Sequence, residues 1–277
     1  MTITKAIIPA AGIGTRMSPA TSAIPKELFT ILNRPVIDYI VEEAVEAGIR
    51  EFIIIINEEK ECIKKYFLES DKWNKNIVFS FLYQKVPLGL GHAIYHAKKM
   101  INKNEFFLIM LPDNLILTDD SSNIIKDLLK LHDEIGCSII NINKVCPDEI
   151  HLRAALETKI AKSDNVFEIK NIIDKPTKET TPSLFTIAGR YILNDSIFSF
   201  IQDTGRDDKN EIQLTSALQL YLKYHKLIGF VFNGNRYDTG NLLGYAKAFT
   251  ALCLRQDEIN NEYCKWIETL LPKEKTK

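Results

Sequence analysis

Short apolar runs of strand length alternate with amphipathic segments along the first half of the chain. Ala6–Pro9 reads as a first buried strand, and Glu51–Asn57 (EFIIIIN), Phe106–Asn114 (FFLIMLPDN) and Cys137–Val145 (CSIININKV) continue the series. Runs this apolar predict strands covered on both faces. Between them, Val36–Ala47 sets Ile37, Ile40, Val41, Ala44 and Val45 along one side, which predicts a helix. Gly48 follows where the cap of that helix belongs. Strands alternating with helices predict an α/β fold on a doubly wound, mostly parallel sheet. From about Glu149 the pattern changes to shorter, more polar strand-like pieces, Val166–Ile173 and Leu184–Tyr191, and Leu242–Leu271 reads as helical. The expectation is an α/β core with an elaborated C-terminal half.

Composition narrows the class. A chain of 277 residues with 45% hydrophobic content can bury a large core. It shows no low-complexity linker and no internal repeat, so residues 1–277 are expected to form one domain. A formal net charge of −1 argues against nucleic-acid binding by bulk charge, so any anion site must be local. The five cysteines lack CxxC spacing, which predicts neither a disulfide framework nor a zinc site and fits a reducing cytoplasm. The N-terminal apolar run is short and passes straight into a glycine turn, so it reads as structure rather than a signal segment. No run of 18 apolar residues occurs, and no membrane span is expected.

Ligands of doubly wound sheets bind beyond the carboxyl ends of strands. Three stretches fall there. Gly12-Ile13-Gly14-Thr15-Arg16 follows the first strand; it is neither a Walker A loop nor GxGxxG, since residue 17 is methionine. Its residues fit two readings, a phosphate cradle of free backbone amides or a plain turn with solvated cations. Lys26, stiffened by Pro25, adds a second cation. Leu111-Pro112-Asp113-Asn114 puts a carboxylate at a strand end, where it suits Mg²⁺ or a simple turn. Asp238, in RYDTGN beyond the apolar Leu227–Phe232, is the natural second carboxylate. Lys175 precedes a proline in Ile172–Glu179 (IIDKPTKE), either a fixed cation or a surface turn. Gly89 and Gly91 in LGLGHA offer backbone contacts, the Gln84 amide could read a base edge, and His92 fits a packed helix-start residue as well as a ligand. No nucleophile motif is present: GxSxG and HExxH are both missing.

Taken in order, PAAGIGTRMSPATSAIPKEL, GLGHAI, LPDN, DKPTKE…PSLFTIAGRYIL, NEIQLTSAL and RYDTGNLLGY resemble the sugar-1-phosphate nucleotidyltransferases, especially bacterial UTP–glucose-1-phosphate uridylyltransferases. The resemblance runs from Ala6 to about Trp266 and implies a Rossmann-like nucleotidyltransferase fold. It implies a nucleotide-binding half (1–145), a sugar-phosphate-binding half (146–240) and C-terminal helices (241–277). By that resemblance Ala10, Ala11, Gly12, Gly14, Thr15, Glu27, Gln84 and Gly89 would hold the nucleotide. Arg16, Lys26 and Lys175 would be catalytic, with Arg16 and Lys26 on the triphosphate and Lys175 on the sugar phosphate. Ala154, Asp174 and Gly189 would line the sugar-phosphate site, and Asp113 and Asp238 would hold Mg²⁺. The implied partners are UTP and a sugar 1-phosphate, glucose 1-phosphate first, without nucleic acid or membrane.

The sequence departs from the family pattern in four places. Ser22 replaces a lysine, Asp174 a glutamate, and Arg153-Ala154 a Tyr-Gly pair; the stretch between Phe67 and Phe81 is short. The first three leave dTTP, CTP, another sugar or a non-catalytic nucleotide-sugar-binding relative as alternatives. The fourth leaves homo-oligomerisation open. A dehydrogenase is disfavoured by the missing fingerprint.

Overall fold

The computed structural model describes residues 3–73, 76–119, 122–177 and 180–270. The last two residues of the Ile172–Glu179 motif, and Leu271 at the end of the predicted helical stretch, lie outside them. A nine-stranded sheet forms the centre. Its order is Val78–Tyr83, Glu51–Ile56, Lys5–Pro9, Phe106–Met110, Phe185–Asn194, Ser138–Lys144, Leu227–Val231, Val166–Asp174, Ala154–Ser163.

Strand alternation sorts the side chains onto two faces. Ile8, Ile54, Leu108 and Met110 point to one side and pack with Ile37, Ile40 and Val41 of the Val36–Glu46 helix. Ile7, Ile53, Ile55 and Ile109 point to the other, against Ala93, Ile94, Leu214 and Leu218. The central strands Lys5–Pro9, Glu51–Ile56 and Phe106–Met110 therefore have to be largely apolar, which is why these runs were visible in the sequence.

The sheet is mixed. Its first four strands are parallel, with Ile7 opposite both Ile53 and Ile109. The strand Phe185–Asn194 then runs antiparallel to its neighbours on both sides, and Val166–Asp174 is antiparallel to Ala154–Ser163. The predicted run Phe106–Asn114 is cut in two: the strand ends at Met110, and a second strand, Asn114–Thr118, starts after the turn. Pro112, which has no amide hydrogen to give a ladder, sits in that turn. The predicted Leu242–Leu271 stretch is likewise two helices, Leu242–Cys253 and Asn260–Leu270.

This topology places the site. Lys5–Pro9 and Phe106–Met110 are parallel neighbours, so the turns that follow them emerge at the same edge of the sheet. Asp238 does not sit at the end of Leu227–Phe232. It ends a separate strand, Gly234–Asp238, paired antiparallel with Asn114–Thr118 so that Asp238 lies opposite Asn114. The register itself brings the two predicted carboxylates together.

Candidate active site

Asp113 and Asp238 share one small space. A methyl carbon placed on Gly240 would lie 2.7 Å from Asp113 Oδ2 and 3.1 Å from Asp238 Oδ1. Glycine is needed at 240 because any side chain would enter the gap between the two carboxylates. Backbone contacts fix both acids: Thr239 N and Oγ1 donate to Asp113 O at 2.8 and 3.1 Å. The Gly240 amide donates to Asp238 Oδ1 at 3.0 Å.

Arg16 and Lys26 face this pair. Lys26 Nζ donates to Asp113 Oδ2, and Arg16 Nη1 lies 3.3 Å from Asp238 Oδ2, with Nη2 4.0 Å from Asp113 Oδ2. Burial pushes the Asp113 carboxyl upward, but the charge and hydrogen bond of Lys26, then Arg16 and Asn114, outweigh it and hold the group at about 2. Burial also opposes the charge on Lys26, yet Asp113 and Glu27 more than offset it and raise its pKa above the ordinary lysine value. Asp113 is thus anionic and Lys26 cationic across the physiological range. Among the described residues no three His, Cys, Asp or Glu side chains converge on one point. The donor set here is two carboxylates, which suits a hard divalent cation whose other oxygens come from phosphates.

A cavity of about 380 Å³ opens beside these charges. Ala11, Gly12, Gly14 and Thr15 from the first turn line it with Lys26, Glu27 and Asp113 on one side, and Gln84 and Gly89 on the other. Ala10 does not reach it. Its side chain is fully buried and its carbonyl is taken by Lys60. Glu27 is in the wall, but its carboxylate is occupied by Lys60 at 2.7 Å. Lys60 Nζ also donates to the carbonyls of Ala10 at 2.8 Å and Gly12 at 2.6 Å, so one buried ammonium holds both sides of the glycine turn.

The sugar-side residues are arranged differently. Gly189 adopts φ +92, and a side chain there would press on Asn114 Cβ and Cγ at 3.0 Å. A glycine permits both the backbone conformation and the close approach. Its carbonyl accepts from Leu111 N at 2.9 Å, which ties the Asp113 turn to the Phe185–Asn194 strand. Ala154 is buried and pairs opposite Asp174. Asp174 and Lys175 are 51% and 59% exposed and lie 3.7 Å apart, so the structure leaves Lys175 out of the charge cluster, on an open rim. Its φ of +45 is a conformation that a non-glycine residue holds only at a cost.

Four residues of this region escaped the sequence reading as site components: Lys60, Gly240, Arg190 and Arg236. Arg190 is fully buried and donates to both Glu43 oxygens, at 3.1 and 2.7 Å, and to the Asn114 carbonyl at 2.9 Å. A lone charge inside the apolar run IAGRYIL was a usable signal for it. Arg236 donates to Asn114 Oδ1, and burial, with Arg153 nearby, pulls its guanidinium down to about 10. Lys60 had no such signal, since NEEKE reads as a solvated charged face.

A turn of backbone amides lining a cavity, with two cations and two acids meeting beside it, is the equipment of a phosphoryl-group transferase. The profile of the nucleotidyl transferase family matches residues 5–254, and the chain belongs to that family. It is 34% identical over 291 residues to the UTP–glucose-1-phosphate uridylyltransferase YngB of Bacillus subtilis (strain 168), covering 98% of this chain and 97% of that protein. It is 36% identical over 287 residues to the UTP–glucose-1-phosphate uridylyltransferase of Staphylococcus epidermidis (strain ATCC 12228 / FDA PCI 1200), covering 97% and 98%. Among solved structures, a UDP-glucose pyrophosphorylase complexed with UDP-glucose superposes with a TM-score of 0.85 at 35% identity, over 92% of this chain and 100% of that one. The UTP-bound enzyme of Acinetobacter baumannii gives 0.88 at 28% identity, over 98% and 100%.

Proposed function

We propose that the chain transfers a uridylyl group from UTP to glucose 1-phosphate, giving UDP-glucose and pyrophosphate, with Mg²⁺ as cofactor. The observation that carries this reading is the meeting of Arg16, Lys26, Asp113 and Asp238 at the edge of the glycine-turn cavity. The activities of the relatives that match over nearly their full length supply the substrates.

The nucleophile is an oxygen of the sugar phosphate. It forms a bond to the α-phosphorus while the bond from that phosphorus to the β-phosphate oxygen breaks, and the electron pair leaves with pyrophosphate. A phosphate monoester with a second pKa of about 6 is mostly dianionic at neutral pH, so no general base is required. The barrier is electrostatic. Two like charges ~4 Å apart cost roughly 4 kcal/mol at an effective dielectric near 20, and several such pairs arise when two polyanions meet.

The residues are suited to that problem. The turn Ala11–Thr15 offers backbone amides to the nucleotide phosphates. Lys26, 13% exposed and fixed, holds the triphosphate, and Arg16, paired with Asp238 but 59% exposed, offsets charge on the departing pyrophosphate. Lys175 grips the sugar phosphate from the rim, Asp174 accepts from sugar hydroxyls, and Ala154 and Gly189 shape that side. Asp113 and Asp238 would hold the Mg²⁺, which when bound supplies positive charge to the phosphoryl oxygens. We read residues 1–277 as one catalytic unit. The five free thiols support a reducing, cytoplasmic location, and no described helix is long and apolar enough to cross a membrane.

The test is pyrophosphate release from UTP, dTTP, CTP, ATP and GTP, each with a panel of sugar 1-phosphates, with and without Mg²⁺. The reading expects fastest release from UTP with glucose 1-phosphate, abolished by chelation. No release with any pair, or a faster pair, overturns it.

A further inference from the structure

Gln84 follows the strand Val78–Tyr83, and its backbone amide is held by Ile56 O at 2.8 Å. Its side chain is 4% exposed and lines the cavity with Gly89. The side-chain nitrogen Nε2 makes two contacts, to Gly89 O at 3.2 Å and to His92 Nδ1 at 2.8 Å. A carbonyl can only accept, so Nε2 is the donor toward Gly89. The second amide hydrogen then goes to His92, whose Nδ1 must be unprotonated. Both donors of Gln84 are consumed inside the protein. What it has left for the cavity is the Oε1 lone pairs.

We infer that His92 is a positioning residue: it locks the Gln84 amide with its oxygen toward the base, and so makes the site choose uracil over cytosine. Uracil presents an N3–H donor, and cytosine a lone pair at the same ring position. An acceptor fixed opposite that position pairs with the first and repels the second. This rests on the uridylyltransferase reading and adds to it the element that sets base selectivity.

His92 is built for this. It lies in the first turn of the Leu90–Tyr95 helix, whose start is tied down by Gly91 N donating to Ile212 O at 2.8 Å. Its ring packs edge-on against His96 with centroids 4.8 Å apart, which limits its rotation. Burial, then the charges of His96 and Arg206, keep its pKa below the usual histidine value, so the ring is neutral at neutral pH. Without His92, only the longer bond to Gly89 O would hold the amide against rotation.

The test is the ratio of kcat/KM for UTP to that for CTP. His92→Phe keeps the ring volume and removes the acceptor; the ratio is expected to fall about tenfold, the effect of one lost neutral hydrogen bond. His92→Asn, whose Oδ1 can accept, is expected to recover most of it. A ratio left unchanged while both activities fall together would mean a purely structural role and overturn the inference. If the phenylalanine variant does not fold, His92→Ala supplies the same comparison. A direct readout needs no variant: long-range ¹H–¹⁵N correlation of the wild-type histidine rings should show an unprotonated Nδ1 at His92. A protonated Nδ1 overturns the inference. A wild-type chain that uses neither UTP nor CTP would instead defeat the underlying reading, and the spectrum would still report on the lock.

Discussion

Lys60 and Glu27 form an ion pair at 2.7 Å with side-chain exposures of only 6% and 1%. The ammonium completes its coordination on the carbonyls of Ala10 and Gly12. The pair therefore joins the glycine turn to the segment that carries Lys26. Removing one partner strands a buried charge, which costs about 3–5 kcal/mol. Lys60→Met is expected to lower the urea-unfolding free energy by about that much and to raise the nucleotide KM. The double variant with Glu27→Gln should be less destabilised than Lys60→Met alone. A loss under about 1 kcal/mol in the single variant would show that the pair does not hold the turn.

Gly240→Ala tests the shared space directly. The added methyl would sit 2.7 Å from Asp113 Oδ2 and 3.0 Å from Arg16 Nη2. The carboxylates must move apart, and a displacement near 1 Å costs on the order of 100-fold in rate. A kcat within about threefold of wild type would sink the claim that the two acids act at one point.

Arg16 and Lys175 should separate in their kinetics. Arg16→Ala is expected to reduce kcat by roughly 10²–10³, with little change in Tm because the side chain is largely exposed. Arg16→Lys should restore little, since a point charge cannot reproduce the planar fork. Lys175→Ala, on the rim, should raise the sugar-phosphate KM more than it lowers kcat. Steady-state kinetics with each substrate varied decides both, and the opposite pattern for Lys175 would mean that its contact is made in the transition state rather than in substrate binding.

His96 should leave a mark on stability against pH. Burial holds its pKa below the ordinary 6.5, and its Nε2 is buried with no hydrogen-bond partner among the described residues. As pH falls through 6.5 the unfolded chain takes up the proton first, so the folded state loses stability from there down to the folded pKa and is unaffected well above it. Tm measured from about pH 7.5 to about pH 5 should decline less in His96→Phe than in wild type. Equal slopes would remove His96 as the cause.

The strands were legible because burial on both faces forces an unbroken apolar run, as in EFIIIIN and FFLIM. Turn chemistry was harder: Pro112 splits the Phe106–Asn114 run, and hydrophobicity alone could not place the break. The charged residues of the site could be nominated but not assembled. Asp113 and Asp238 meet through the register of two short strands that no periodicity announced. Lys175 shows the converse, a motif residue that the backbone leaves in the open. Lys60 was hidden because a lysine among glutamates looks solvated until the fold buries it.

Arg16 and Asp238 touch across 222 residues of sequence. A ribosome must therefore add the 222 residues that separate them before the Gly234–Asp238 strand can dock and bring the second acid alongside the first. A nascent chain that has already laid down its parallel core still lacks the paired carboxylates, because the strand that carries the second is made long after the turn that carries Arg16.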